Sequence, residues 1–246
     1  MQEDFSVKYL DLEDRHWWFA GRRDMVLRLV DDLPKESCIL DVGCSGGAML
    51  LALLGKGFRD VAGVDISVGA IESCRNKGLK NTTVMDAQEL TFADGSFDAV
   101  IASDILEHLA DPARALASWR RVLKPGGKLL VFVPAYTFLW SDHDVINCHQ
   151  KRYEKKDFAD IVRQAGFEVQ RTSGWDVVLF VPIALMVLLR PRKTGAGYSD
   201  KAGNLHAVPG WLNGILTRLL LLENMALSHM NAPAGISFFV VASKKD

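Results

Sequence analysis

The sequence has no surplus of either charge. Among 246 residues, 29 Lys+Arg face 30 Asp+Glu, for a formal charge of −1. A chain that holds nucleic acid by releasing counterions usually shows a basic excess. No nucleic-acid partner is therefore expected. The four cysteines, Cys38, Cys44, Cys74 and Cys148, form no Cys-x-x-Cys pair, which excludes a zinc ribbon and a dithiol redox motif. No apolar run approaches the roughly 20 residues of a membrane span. The longest, residues 177–189, is interrupted by Pro182 and ends at Arg190. The opening Met1-Gln-Glu-Asp-Phe5 lacks a basic stretch followed by an apolar one, so no secretory leader is expected. A cytosolic protein with reduced thiols is the simplest expectation. There is no internal repeat and no low-complexity tract. With 49% apolar and 24% charged residues, the balance is that of a folded domain and not a disordered chain.

What the chain does contain is an alternation of short apolar runs and amphipathic stretches. Strands are predicted at 38–42, 61–65, 82–85, 97–102, 128–133, 167–171 and 236–242. Helices are predicted at 48–54, 68–76, 112–122, 155–165 and 211–228. Pro112 opens its helix because proline is tolerated in a first turn, and Gly166 closes another. Lys124-Pro-Gly-Gly127 reads as a turn. Residues 135–154 are polar, aromatic and His-rich, without a clear period. The apolar run 177–189 reads as a buried helix, an interfacial segment or a pocket wall. Strands alternating with helices imply a parallel sheet covered on both faces. The predicted fold is α/β: a Rossmann-like, seven-stranded, mostly parallel sheet with helices on both faces. Residues 1–34 form an N-terminal helical cap on a domain spanning 35–246. An apolar helical insertion, 176–233, precedes the last strand.

The sharpest motif is Leu40-Asp-Val-Gly-Cys-Ser-Gly-Gly47, at a strand-to-helix turn. Glycines there let a ligand approach the backbone, and the next helix offers unpaired N–H groups. Ligands of open α/β sheets bind at the carboxyl ends of strands. Acids stand at three such ends. Asp65 suits the two hydroxyls of a ribose, Asp86 an exocyclic amine, and Asp41 is costly inside a strand unless it has partners. These residues resemble the class I S-adenosylmethionine-dependent methyltransferases. Residues 41–47 are similar to that family's first motif, Asp65 to its ribose acid, and Asp86-Ala87 to its adenine position. Phe97-Asp-Ala-Val100 and Leu123-Lys-Pro-Gly-Gly127 resemble two further motifs. Together they cover about residues 38–170, in the manner of the subgroup described as type 11-like. The departure is Ser45, at the usual middle glycine, where a modest backbone adjustment is expected. Spacing other than Gly-x-Gly-x-x-Gly disfavours a dinucleotide dehydrogenase.

His16-Trp-Trp-Phe-Ala-Gly-Arg-Arg23 reads either as a helix whose aromatic face caps the core or as a cover over the cofactor. In the second reading Trp18 or Phe19 lies against a sulfonium ligand, and Arg22 pairs with a carboxylate. The expected cofactor set is Trp18, Arg22, Asp41, Gly43, Cys44, Gly47, Asp65, Ile66, Asp86, Ala87 and Ser103.

Two segments offer chemistry. In Ser103-Asp-Ile-Leu-Glu-His108, Asp104, Glu107 and His108 share a face if helical. They either shape the backbone around the cofactor or hold a divalent ion, since ubiquinone-biosynthesis O-methyltransferases show a comparable acid-x-x-Glu-His arrangement. The main reading takes no metal. The second segment, Tyr136 to Tyr153, holds His143 and His149 among acids and aromatics. Histidine suits proton transfer near neutral pH. His143 is the expected base, with His149 and His108 as rivals. Tyr136, Trp140, Arg152 and Tyr153 are the expected acceptor contacts, and the apolar insertion is expected to shape the acceptor pocket. The expected activity is methyl transfer from S-adenosylmethionine to a small, partly apolar acceptor, at oxygen. The alternatives are carbon or nitrogen methylation by proximity, a non-catalytic cofactor-binding protein, and peripheral membrane or lipid-like contact through the insertion. The sequence sets no oligomeric state.

Overall fold

The computed structural model describes residues 12–189 and 208–245. Part of the predicted cap, residues 1–11, and residues 190–207 of the predicted insertion lie outside these. The elements run α1 (Trp17–Leu29), β1 (Cys38–Val42), α2 (Ala48–Gly55), β2 (Asp60–Asp65), α3 (Val68–Asn76), β3 (Thr82–Val84) and β4 (Phe97–Ser103). They continue with α4 (Pro112–Val122), β5 (Leu123–Pro134), α5 (Asp142–Ile146), α6 (Lys155–Gln164), β6 (Phe167–Trp175), α7 (Phe180–Leu189), α8 (Gly210–Leu227) and β7 (Ser237–Lys244). Single 3₁₀ turns lie at Leu106–His108 and Thr137–Leu139.

The seven strands form one sheet in the order β3-β2-β1-β4-β5-β7-β6. β1 to β5 pair in parallel, and β7 runs antiparallel between β5 and β6. The expected Rossmann-like architecture is therefore present. Alternation along each strand splits the apolar side chains between two faces. Ile39, Ile101, Phe132 and Phe239 face a core closed by α1, α2 and α8. Leu40, Val100, Val131 and Phe238 face a second core closed by α4 and α6. Two of the family-like motifs meet at the sheet's amino edge: Asp98 accepts from Cys38 N at 2.8 Å and pairs with Lys124 Nζ at 2.8 Å.

The boundaries shift in three places. The predicted turn at 124–127 is absorbed into β5, because Gly126, at φ +70°, and Gly127 let the chain bulge without leaving the sheet. β6 runs on to Trp175, where its antiparallel pairing with β7 continues. Inside the aperiodic stretch, Ser141 and Asp144 form a capping box that nucleates the short helix α5.

The leading helix and the insertion, separate in sequence, meet in space. A Cβ at Gly21 would run into Leu220 of α8, so α1 and α8 cross closely there. Asn224, fully buried, donates to Gly21 O at 2.8 Å and accepts from Trp175 Nε1 at 2.9 Å, joining α1, α8 and β6. The apolar run becomes α7, capped by Glu223 of α8, whose carboxylate accepts from Val177 N and Val178 N. No residue of α7 is buried, and Val181, Leu185 and Leu188 face outward. The buried-helix reading of the run thus fails, because α7 packs along one side only. Among the described residues no helix is long and apolar enough to cross a membrane.

Asp176, just past β6, is buried with no hydrogen-bond partner for either side-chain oxygen. Burial, and then the nearby Glu223, push its pKa up to about 7. A carboxyl raised in the folded state takes up a proton on folding. Its burden on stability is thus absent below the unfolded value of about 4 and grows as pH rises toward 7. Asp176 sits at φ +58°, which asparagine tolerates. Asp176→Asn is expected to flatten this part of the pH–stability profile. It should also stabilise the fold by about 1 kcal/mol or more above pH 7, measured by urea melts.

Candidate active site

The glycine-rich turn leaves β1 in the middle of the sheet. Gly43 N and Cys44 N both donate to Val64 O, at 2.8 and 3.0 Å, which draws the turn onto β2. Gly43 needs φ +75°, and a Cβ there would strike Ile105. Ser45 adopts φ +47° in place of the middle glycine, which is the expected adjustment. Its N–H donates to Asp65 Oδ2 at 3.0 Å, while Asp65 Oδ1 accepts from Ser67 N at 2.8 Å. One carboxylate thereby holds the turn after β1 and the turn after β2.

Around this turn lies a cavity of about 360 Å³. Ten of the eleven expected cofactor residues line it: Trp18, Arg22, Asp41, Gly43, Cys44, Asp65, Ile66, Asp86, Ala87 and Ser103. Gly47 does not. It sits at φ +81° at the start of α2, against Leu79 and Cys74, where it serves packing. Asp41 is buried, and burial, together with Glu13 and Asp65, raises its pKa well above the ordinary carboxylate value. Asp86 accepts from Gln88 N at 2.8 Å.

The N-terminal segment closes one side. Trp18 and Phe19 line the cavity, and Trp18 also packs edge-on against Trp175. Arg22 is only 3% exposed. Its Nη2 donates to Asp104 at 3.2 Å and to Ser237 Oγ at 3.0 Å. Its guanidinium lies 4.1 Å from the ring centres of both Phe132 and Trp175. The expected carboxylate partner of Arg22 is thus Asp104 of the chain itself, which also accepts from Ser103 Oγ at 2.9 Å. Glu13 is a residue that sequence reasoning missed. Its carboxylate accepts from Gly46 N at 3.2 Å, and burial raises its pKa. No motif flags it, because only the fold brings residue 13 onto the glycine-rich turn. Asn147 and Ile105 are cavity residues missed in the same way.

The histidines are sorted differently from the expectation. Only His108 lines the cavity. Burial first, then His149, lower its pKa to about 4, which leaves the ring uncharged at neutral pH. His143 does not line it. On the outer turn of α5 its ring lies 3.2 Å from the Asn147 side-chain amide, and Asn147 takes the cavity position. His149 packs edge-on against His108, with ring centres 4.8 Å apart. Its Nδ1 is 2.8 Å from Asp144 Oδ1, which also accepts from Arg152 Nε at 2.8 Å. Burial opposes charge on Asp144, but the bonds from His149, Arg152 and Ser141 N outweigh it and hold the carboxyl well below its ordinary value.

The four expected acceptor contacts also lie off the cavity. Arg152 is committed to Asp144 and to Ala135 O, at 3.0 Å. Tyr153 is buried and donates to Leu106 O at 3.1 Å. Tyr136, at φ +55°, stacks against Phe138, Phe180 and Phe238. Trp140 is exposed on the outer surface. The reason is a return of the chain: Tyr136 N bonds Tyr153 O, and Tyr153 N bonds Pro134 O. The segment therefore mainly braces the end of β5, and Asn147 is its one residue on the cavity. No described residue of the insertion lines the cavity.

Because Asp65 serves two backbone donors at once, Asp65→Ala is expected to free both Ser45 N and Ser67 N. The loss should be about 1–3 kcal/mol of stability in denaturant melts, with amide exchange accelerated at Ser45 and Ser67. Asp65→Asn, which keeps one acceptor oxygen, should lose less.

Comparison with known proteins agrees with this geometry. Residues 40–131 match a family model described as a methyltransferase domain. A 37.1 kDa protein of transposon Tn4556 from Streptomyces fradiae is 33% identical over 72% of this chain and 54% of its own length. The ubiquinone biosynthesis O-methyltransferase of Thiobacillus denitrificans is 30% identical over 55% of this chain and 66% of its own. The chain thus spans about half to two thirds of the curated relatives it matches. In fold it is similar to a chain of the Haloferax volcanii complex between the Trm112 methyltransferase activator and a methyltransferase. The TM-score there is 0.65 at 19% identity, covering 99% of this chain and 96% of the other. Motifs, sheet order and family match coincide in one stretch: residues 40–131 lie in a class I S-adenosylmethionine-dependent methyltransferase domain of the type 11-like kind.

Proposed function

We propose that the chain transfers a methyl group from S-adenosylmethionine to a small, partly apolar acceptor, at oxygen. The observation that carries this reading is a single cavity lined by ten cofactor candidates and His108. Its residues fit the cofactor. Asp65 keeps lone pairs beyond its two backbone bonds that would serve the ribose hydroxyls, and Asp86 and Ala87, on the same cavity, would hold the adenine. The Trp18 ring suits a cation. When bound, S-adenosylmethionine supplies a methyl group activated on a sulfonium. The chain's task is then to align the acceptor and exclude water. Met49, Met85, Ile105 and Leu109 on the cavity wall support a partly apolar acceptor. The outward face of α7 supports contact with a lipid-like molecule or surface.

On this reading His108, which lines the cavity, acts on the acceptor in preference to His143, which does not line it. Its uncharged ring offers a lone pair to a hydroxyl proton, and the O-methyltransferase relative supports oxygen. The second reading is carbon or nitrogen methylation by alignment alone. It is favoured by the weak basicity of a ring titrating at about pH 4.

Labelled S-adenosylmethionine, offered with a panel of phenolic and aliphatic hydroxyl acceptors, tests the reading. Product O-methyl groups support it, whereas N- or C-methyl products establish the second reading. Turnover is expected to be flat through neutral pH and to fall only as pH drops toward about 4, where His108 gains its proton. His108→Ala should cut kcat about 10²–10⁴-fold while calorimetry finds S-adenosylhomocysteine binding unchanged. His143→Ala should leave kcat near wild type; the reverse ranking would return the role to His143. Hydrogen exchange at residues 17–23 should slow when S-adenosylhomocysteine is added, and equal protection would mark α1 as a plain core cap.

A further inference from the structure

We propose that Glu107, His108 and His149 form a divalent transition-metal site in the cavity wall. One ligand atom from each lies within 4.8 Å of the other two. It is the one such cluster among the described residues. The residues come from two segments, the 3₁₀ turn after β4 and the loop after α5, which the fold brings together. Gln150 N donates to Glu107 O at 2.8 Å and locks the segments side by side.

Three further observations point to an ion. The first is Glu107 itself, 1% exposed, with no hydrogen-bond partner for either carboxylate oxygen. A buried acid without partners is costly, and buried charges normally pair or coordinate metal. The cations nearby are already engaged, Arg22 with Asp104 and Arg152 with Asp144. The second is the orientation of His149. Asp144 is a carboxylate gripped by Arg152 and Ser141 N, so His149 Nδ1 donates to it. That leaves Nε2 as the lone-pair nitrogen. A carboxylate behind one ring nitrogen is the usual way a metal-binding histidine is fixed in tautomer and direction. The third is the position of His108 on the cavity.

The donor set defines the metal class. Two imidazoles and one carboxylate suit Zn²⁺, Mn²⁺, Fe²⁺ or Co²⁺, whereas Mg²⁺ and Ca²⁺ favour all-oxygen sets. The set differs from the sequence-level alternative of Asp104, Glu107 and His108. Asp104 is occupied by Arg22 and Ser103, and His149 supplies the third donor. Three protein ligands leave coordination positions open beside His108. On the methyltransferase reading, from which this role follows, an ion held there would lower the pKa of an acceptor hydroxyl, which would release its proton to solvent and present the oxygen as a better nucleophile. His108 would then be a ligand, and its truncation would still lower kcat.

The test uses the full chain, stripped with chelator and titrated with Co²⁺ while visible ligand-field absorption and thermal melting are followed. One saturable Co²⁺ per chain, with a raised Tm, is expected. His149→Ala and Glu107→Gln should each weaken Co²⁺ binding at least about 100-fold and abolish the Tm rise. His143→Ala should keep both signals. Glu107→Gln guards against a folding artefact, because an amide removes a buried acid and its metal-free Tm should equal or exceed wild type. Absence of ligand-field bands, or variants that bind Co²⁺ as well as wild type, overturns the site. S-adenosylhomocysteine calorimetry in parallel separates the claims: cofactor binding without Co²⁺ binding sinks the metal site alone. Co²⁺ binding without cofactor binding keeps the site and sinks the methyltransferase reading.

Discussion

The site depends on one buried cation. Arg22 leaves α1, crosses the apolar core and ends among Asp104, Ser237 and the rings of Trp18, Phe132 and Trp175. Such a charge is tolerable only when it is paired and when π faces and a hydroxyl replace its water. Removing one member of a buried pair typically costs about 3–5 kcal/mol. Here the pairing also does architectural work. It pins the leading helix to the carboxyl ends of β4, β5 and β6 and to the start of β7, where the cavity opens. It holds Asp104 at φ +56°, and that turn carries Glu107 and His108. A change at residue 22 would therefore be felt at the histidines, far away in sequence.

The sheet supplies the rest of the frame by a simple division. Its strands are apolar on both faces, so the polar residues of β1, β2 and β4 concentrate at the strand ends, where Asp41, Asp65 and Ser103 lie. There the side chains meet backbone N–H groups left free as the chain turns. Asp65 satisfies two of these, and Glu13 a third. Ionisable groups that would be costly in the sheet's middle are affordable at its edge because turns supply donors.

The loop after β5 looks in sequence like a reactive segment, and in space it is mostly a brace. Asp144 organises it, accepting from Ser141 N, His149 and Arg152. Tyr153 closes it against Leu106 O. Two of its polar residues reach the turn after β4: Gln150 donates to Glu107 O and His108 O, and the His149 ring, fixed by the carboxylate behind it, packs on His108.

The fold, and most of the residues that line the cavity, were legible in the sequence because they rest on local signals and on motif resemblance. Period-two and near-continuous apolar runs mark strands, Pro112 and Gly166 punctuate helices, and acids one after another at strand ends mark a ligand edge. Ten of the eleven residues expected from those signals together with the methyltransferase resemblance line one cavity. The reacting side was not legible. Whether His108, His143 or His149 faces the cavity depends on how two segments 40 residues apart dock, and the residue types are the same in every arrangement. Glu13 on the glycine-rich turn, Arg22 answered by Asp104, and α1 packed on α8 across some 200 residues likewise arise from contacts with no spacing to betray them. Local sequence determines which elements form, because backbone preference and apolar period act over a few residues. Tertiary packing alone decides which side chains share a site, because burial and partner geometry are properties of the assembled sheet.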